Sequence, residues 1–239
     1  MLQSPSPVRL RLVGEAMCWT GDGRAVPLER KDALLLAYLA IEGATSRAAL
    51  AFMLWPDVEK NRALANLRQR LYRLRKLLGL ELLEGSLVAS LRADVVVDLD
   101  NSAAELLVGV TEADAGGLGA WLCAARDHRR TERVQRLAEV ASRHEGAGRL
   151  APAIAAAQEL VEFDPTSEHA HRRVMRLHYL RGDRAAALAA FDRCCDVLER
   201  VLGVAPEPET EALRARVAGL TEQSVEVAFQ PLPVSVLRV

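Results

Sequence analysis

Between Lys60 and Leu80 stand Lys60, Arg62, Arg68, Arg70, Arg73, Arg75 and Lys76, with no acidic residue among them. Asn61, Asn66, Gln69 and Tyr72 are interleaved with these cations. The side chains share one chemistry. An arginine fork matches the two acceptors on a guanine edge, and an amide matches the donor and acceptor of adenine. Lysine and tyrosine reach phosphate oxygens. On a wheel of about 100° per residue, Leu64, Leu67, Leu71, Leu74 and Leu78 gather within about a third of the circle. The opposite side carries Arg62, Ala65, Gln69, Tyr72, Arg73 and Lys76, flanked by Asn61, Asn66 and Arg68. A helix that is apolar on one side and basic on the other fits a DNA major groove. The competing reading is a solvated face in an arginine-rich chain. Solvated faces usually mix charge signs, and this one does not. The candidate DNA-binding residues are therefore Arg62, Asn66, Arg68, Gln69, Tyr72, Arg73 and Lys76, together with Arg47 upstream.

The flanking sequence says what positions this helix. Residues 1–7 read as a leader. Val8 to Val13 alternates with period two, Ala16 to Thr20 continues in extended style, and Gly21-Asp22-Gly23 is a hairpin turn before a third strand, Ala25 to Leu28. A small antiparallel sheet is expected. The period then changes to helical from Arg30 to Glu42, ending at Gly43. Ser46 is a plausible N-cap for a helix from Arg47 to Trp55, which Pro56 stops. Asp57 can cap the basic helix, and Gly79 supplies its C-terminal stop. Leu82 to Glu84 and Leu87 to Leu91 flank Gly85-Ser86 as a two-residue hairpin. Sheet, three helices and hairpin follow the order of a winged helix-turn-helix.

Residues 92–115 form a weakly patterned bridge, with a strand-like run at Val95 to Leu99 and a short helix expected near Ala103 to Val108. Gly116-Gly117-Leu118-Gly119 marks a break, and no GK[ST] follows to make it a phosphate loop. From Trp121 the pattern is helical and repeats. Gly148 matches Gly182, Ala153 matches Ala187, Ile154 matches Leu188, His144 matches His178, Val140 matches Val174 and Ala157 matches Phe191, each at an offset of 34 residues. That period, with a glycine between two helices, is the tetratricopeptide signature. In the second repeat the first helix carries Arg172, Arg173, Arg176 and Tyr179, candidate anchors for a protein partner or else a solvated face.

The net charge of −1 hides an asymmetry: residues 1–98 carry 14 basic and 11 acidic side chains, residues 99–239 carry 17 and 21. An anionic partner suits the first part and a different task suits the second. Cys18, Cys123, Cys194 and Cys195 form no CxxC pair and read as free, mostly buried thiols. His169 and His171 lack the companions of a metal site and are expected on a solvated face. No signal core or membrane-length run is present, so a cytoplasmic location is expected. No catalytic motif is found, and neither an enzyme nor a cofactor is expected. The expected fold is an α+β N-terminal winged helix-turn-helix with a small antiparallel sheet (1–98), then an all-α tetratricopeptide-like repeat domain (99–225), then a linker or tail (226–239). Two functions remain open from these residues. One is a sequence-specific DNA-binding regulator, the other a tetratricopeptide adaptor whose N-terminal domain contacts protein.

LERKDALLLAYLAIEGATSRAALAFMLWPD (28–57) followed by ANLRQRLYRLRKLLG (65–79) resembles the DNA-binding half of the bacterial transcriptional activator domain proteins, of the antibiotic-regulatory type. WLCAARDHRRTERVQRLAEVA (121–141), FDPTSEHAHRRVMRLHYLRGDRAAALAAFDRC (163–194) and LGVAPEPETEAL (202–213) resemble their tetratricopeptide activator half. The resemblance runs over residues 8–216. Phe191 stands where a tyrosine is usual, and the hairpin at Gly85-Ser86 is short and carries no basic residue. The resemblance implies a regulator that binds promoter DNA through repeated half-sites and helps recruit RNA polymerase. It also implies that the helical half supports dimerisation, at least on DNA, and regulation. Many members continue into an ATPase module, and Gln230 to Val239 reads as a linker.

Overall fold

In the computed structural model, which describes residues 7–99 and 104–219, the alternation at the start becomes strand β1 (Val8–Arg11). Strand β2 (Met17–Trp19) pairs antiparallel to it, and β3 (Ala25–Pro27) antiparallel to β2. Gly23 donates to the Thr20 carbonyl at 2.8 Å and closes the expected turn. Helix α1 (Arg30–Glu42) places Leu34, Leu35, Leu36 and Leu39 inside and ends at Gly43. A two-residue strand, β4 (Thr45–Ser46), leads into α2 (Arg47–Leu54), whose first turn is capped by Ser46 Oγ accepting from Ala49 N–H at 3.2 Å. Helix α2 stops at Leu54, one residue before the expected Trp55.

Helix α3 (Lys60–Leu78) is the basic one. Its cap is Glu59 rather than Asp57: the Glu59 carboxylate accepts from the N–H groups of Asn61 and Arg62 at 3.0 and 3.2 Å. That puts a negative charge at the positive end of the helix dipole. Gly79 closes the helix in the left-handed region at φ 74°. The buried line is Ala63, Leu67, Leu74 and Leu78, while Leu64 and Leu71 lie half-buried on its border. Strands β5 (Leu83–Glu84) and β6 (Val88–Leu91) pair through Leu83 with Leu91 and Glu84 with Ser90. Their connection is thus 85–87, one residue longer than the expected two. Val88 and Ala89 pair instead with Ser46 and Thr45 of β4.

Strand β7 (Val95–Asp98) returns to the first sheet and runs parallel to β1, Val8 beside Val95 and Leu10 beside Val97. The sheet order is β3-β2-β1-β7, so the expected all-antiparallel sheet gains a parallel edge. The short helix expected near Ala103 to Val108 does not form over residues 104–108. Leu106 bridges to Val13, a turn follows, and Leu106 and Leu107 are buried in the core. Helix α4 (Glu112–Ala115) carries a capping box between Thr111 and Asp114. A 3-10 turn at Gly116–Leu118 leads into the long helix α5 (Gly119–Gly146). The glycines of that turn have a packing reason: a Cβ on Gly117 would lie 2.7 Å from the Met53 carbonyl oxygen, and one on Gly119 2.9 Å from that of Glu112.

The chain divides into two compact units, Met1–Thr131 and Glu132–Val239. The core of the first joins Leu10, Leu12, Leu34 and Leu67 to Leu106, Leu118 and Leu122, so it extends past residue 98. In the second unit α5 is followed by α6 (Leu150–Phe163), α7 (Glu168–Leu180), α8 (Arg184–Leu202) and α9 (Pro208–Val217). The 34-residue repeat is reproduced hydrogen bond by hydrogen bond. Arg149 N–H donates to His144 O and Gly148 N–H to Glu145 O, and 34 residues later Asp183 donates to His178 O and Gly182 to Tyr179 O. Both are Schellman turns on a left-handed glycine, Gly148 at φ 67° and Gly182 at φ 82°. Ala153, Ile154, Ala157, Val174, Met175 and Phe191 pack between the helices. His171 is not on a solvated face. It is buried, with Nε2 2.9 Å from the Pro165 carbonyl oxygen. Apart from Pro7, the expected leader and the expected tail lie outside the described residues.

Candidate nucleic-acid interface

The cations of α3 divide into two kinds. Arg62, Arg68, Gln69, Tyr72, Arg73 and Lys76 are exposed and Asn66 is half-buried. None of the four basic groups has an ion pair among the described residues. Arg70 differs: its Nη2 lies 2.7 Å from Glu29 Oε2, and its Nε lies 2.7 Å from Asp32 Oδ1. The Asp32 side chain is only 8 % exposed, and burial pushes its carboxyl up in spite of Arg70. This pair fastens α3 to the first turn of α1. Arg75 holds Glu81 at 2.7 Å. Arg24, in the β2–β3 turn, donates to the Leu77 carbonyl at 2.8 Å and ties the sheet to the last turn of α3.

The unpaired groups form a stripe. Gln69 and Arg73 are one turn apart, about 6 Å along the axis, and the span from Arg62 to Lys76 is roughly 21 Å. A major groove about 12 Å wide admits such a helix. Tyr72 is 66 % exposed within the stripe, which no folding requirement explains.

Arg47, at the start of α2, is half-buried. Its Nη2 donates to Gly85 O at 2.8 Å and its backbone N–H to Leu87 O at 2.9 Å. It therefore holds the β5–β6 connection, whose Leu87 is 82 % exposed. Gly85 sits at φ 86°, where a Cβ would collide with the Val88 carbonyl.

In the helical unit the four singled-out residues are engaged with their own fold. Arg172 Nη1 lies 2.7 Å from Glu207 Oε2 and 2.9 Å from Thr210 Oγ1. Arg176 Nη2 donates to both oxygens of Glu145 at 2.7 and 3.0 Å, and Arg173 Nη2 to Ser142 Oγ at 2.7 Å. Tyr179 is half-buried. The arginines thus join α7 to the end of α5 and to the start of α9. Glu168 completes the second junction by accepting from Glu207 N–H at 2.8 Å and Thr210 Oγ1 at 2.6 Å. Glu59, Glu145 and Glu168 escaped sequence reasoning because their partners are distant or backbone groups. Burial pushes the Cys18 thiol up to about 11 and the Cys194 thiol up to about 12. Among the described residues no helix is long and apolar enough to cross a membrane.

A profile of the bacterial transcriptional activator domain matches residues 79–218, from the glycine that ends α3 to just beyond α9. The regulatory protein AfsR of Streptomyces griseus is 28 % identical over 258 residues, covering 95 % of this chain. The chain spans only 26 % of that relative. In fold the chain is similar to Mycobacterium tuberculosis EmbR, solved in complex with a low affinity phosphopeptide, with a TM-score of 0.52 and 21 % identity. That likeness covers 89 % of this chain and 65 % of EmbR. With more than half of its length matched by the family profile, the protein belongs to the bacterial transcriptional activator domain family of transcription regulators, of the antibiotic-regulatory type.

Proposed function

We propose that the protein is a sequence-specific DNA-binding transcriptional activator. Residues 1–98 form a winged helix-turn-helix in which α3 enters the major groove and the β5–β6 hairpin is the wing. Gln69 and Arg73 read base edges, Arg62, Asn66, Arg68, Tyr72 and Lys76 meet bases or phosphates, and Arg47 holds the wing in place. The end of α5 with α6 to α9 forms a tetratricopeptide-like activator part. On promoter DNA two copies occupy repeated half-sites and help recruit RNA polymerase, in the cytoplasm.

One observation carries this reading. The exposed side of α3 keeps Arg62, Arg68, Arg73 and Lys76 without an ion pair among the described residues, while Arg70 and Arg75 on the same helix are paired. A helix stabilised only by its own fold has no use for four exposed cations on one side with no acidic residue among them. Two of them, Arg73 and Lys76, lie at the i,i+3 spacing where like charges repel. The test is selection of bound sequences from a random duplex pool, followed by titration at two salt concentrations. A shared motif, bound with a steep salt dependence, is expected. Binding that shows neither would remove α3 from the nucleic-acid surface.

A further inference from the structure

The sheet β3-β2-β1-β7 has a second face, away from the core. Leu10 and Cys18 point inward and are fully buried, so Arg9, Arg11 and Trp19 point outward. Arg9 lies between Trp19 and Val96, and Arg11 between Met17 and Asp98. A groove of about 620 Å³ follows this face, lined by Pro7, Arg9, Arg11, Trp19 and Val96, with Asp98 as its acidic group. The Arg11 guanidinium stacks 5.2 Å from the centre of the Trp19 ring, and its Nε donates to Glu15 O at 3.1 Å. Neither arginine has an ion pair among the described residues. Val96 is 51 % exposed.

We propose that this face is a docking surface for an acidic, extended peptide segment of a partner protein. Two guanidinium charges face one carboxylate, so the groove carries a surplus positive charge. Side chains on one face of a strand recur every two residues, about 6.6–6.8 Å apart. An extended segment has the same repeat. Carboxylates at alternate positions of such a segment meet Arg9 and Arg11 together, and an apolar side chain at the next alternate position falls beside Pro7. Trp19 and Val96 wall the site, and Trp with Arg is a frequent anchor pair in protein interfaces. A phosphate backbone would use the arginines but leave Val96 uncovered, which favours the peptide.

The test uses the full chain and two labelled peptides of equal composition, Gly-Asp-Ser-Asp-Ser-Phe-Gly and Gly-Asp-Asp-Ser-Ser-Phe-Gly, in fluorescence anisotropy. The alternating peptide should bind up to about fivefold tighter, the difference that one more surface ion pair supplies, because adjacent carboxylates point to opposite faces and only one meets an arginine. Arg9→Glu with Arg11→Glu should weaken it by about tenfold or more, since attraction turns to repulsion. Val96→Ser, which adds no charge and leaves both arginines in place, should weaken it too. Circular dichroism checks that each variant is folded. Equal binding of the two peptides, or an unchanged affinity in the folded double variant, overturns the proposal. So does a double variant that loses duplex DNA affinity while the peptides bind neither protein, because the face would then be a phosphate contact. These readouts leave α3 intact and are separable from those that test it.

Discussion

Three arginines of α3 stand in three surroundings, and alanine at each should give a different outcome. Arg73 is exposed, has no ion pair among the described residues, and lies one turn from Gln69. Its loss should cost ~1–3 kcal/mol on the best site and relax the sequence preference there, a factor of roughly 5–150 in Kd. Stability should move by less than about 0.5 kcal/mol. Arg75 holds Glu81 between side chains that are 64 % and 56 % exposed. Losing such a pair is worth about 0–1 kcal/mol, and DNA affinity should change little. Arg70 faces Asp32, whose side chain is 8 % exposed. Removing one partner of a buried pair strands the other charge and costs about 3–5 kcal/mol. Burial already pushes the Asp32 carboxyl up, and losing Arg70 pushes it further. The folded variant therefore takes up a proton more readily than the unfolded chain. Its deficit should be largest at pH 8 and shrink as the pH falls through the raised folded value. Anisotropy titration on the selected duplex, with urea unfolding at pH 5 and pH 8, measures all three. The reasoning is refuted if folded Arg73→Ala keeps both affinity and preference, or if Arg70→Ala costs less stability than Arg75→Ala.

Other substitutions test the frame. Gly117→Ala puts a Cβ 2.7 Å from the Met53 carbonyl oxygen and should lower stability by about 1–3 kcal/mol through overpacking, read as a lower melting temperature. Leu74→Ala should cost ~2–5 kcal/mol and half-buried Leu71→Ala clearly less, by denaturant unfolding. Burial, with Arg181 beside it, holds His178 below the ordinary histidine value. The unfolded chain then protonates first, so stability is full above the unfolded histidine pKa and falls as the pH drops through it toward the folded value. His178→Gln should flatten that decline in thermal melts. Arg173→Glu with Arg176→Glu strands Glu145 and should make the helical unit more sensitive to limited proteolysis while operator binding persists.

Periodicity made much of this fold legible. Helix α1 has the bounds that its leucines predict, Ser46 caps α2, and Gly79 ends α3. The repeat was readable because Gly148 and Gly182 occupy one left-handed position that other residues seldom adopt. What stayed hidden was set by distant partners. β4 exists only because β6 pairs with it, and β7 is a strand because β1 accepts it. Leu106 and Leu107 leave a helical pattern because the core takes them. On α3 the exposed groups followed from the wheel. The distinction between paired Arg70 and unpaired Arg73 did not, since Glu29 and Asp32 lie about forty residues earlier in the chain.

The parallel pairing of β1 with β7 has a consequence for how the chain assembles. β1 is synthesised first, yet one of its two edges waits for Val95–Asp98. Closing so long a loop carries a large entropic toll before any contact repays it, so this step slows assembly. A nascent chain emerging from the ribosome therefore holds Val8–Arg11 with an open row of N–H and C=O groups until residue 98 is clear. Any truncation upstream of β7 makes that interval permanent, leaving a strand edge that recruits other chains into aggregates.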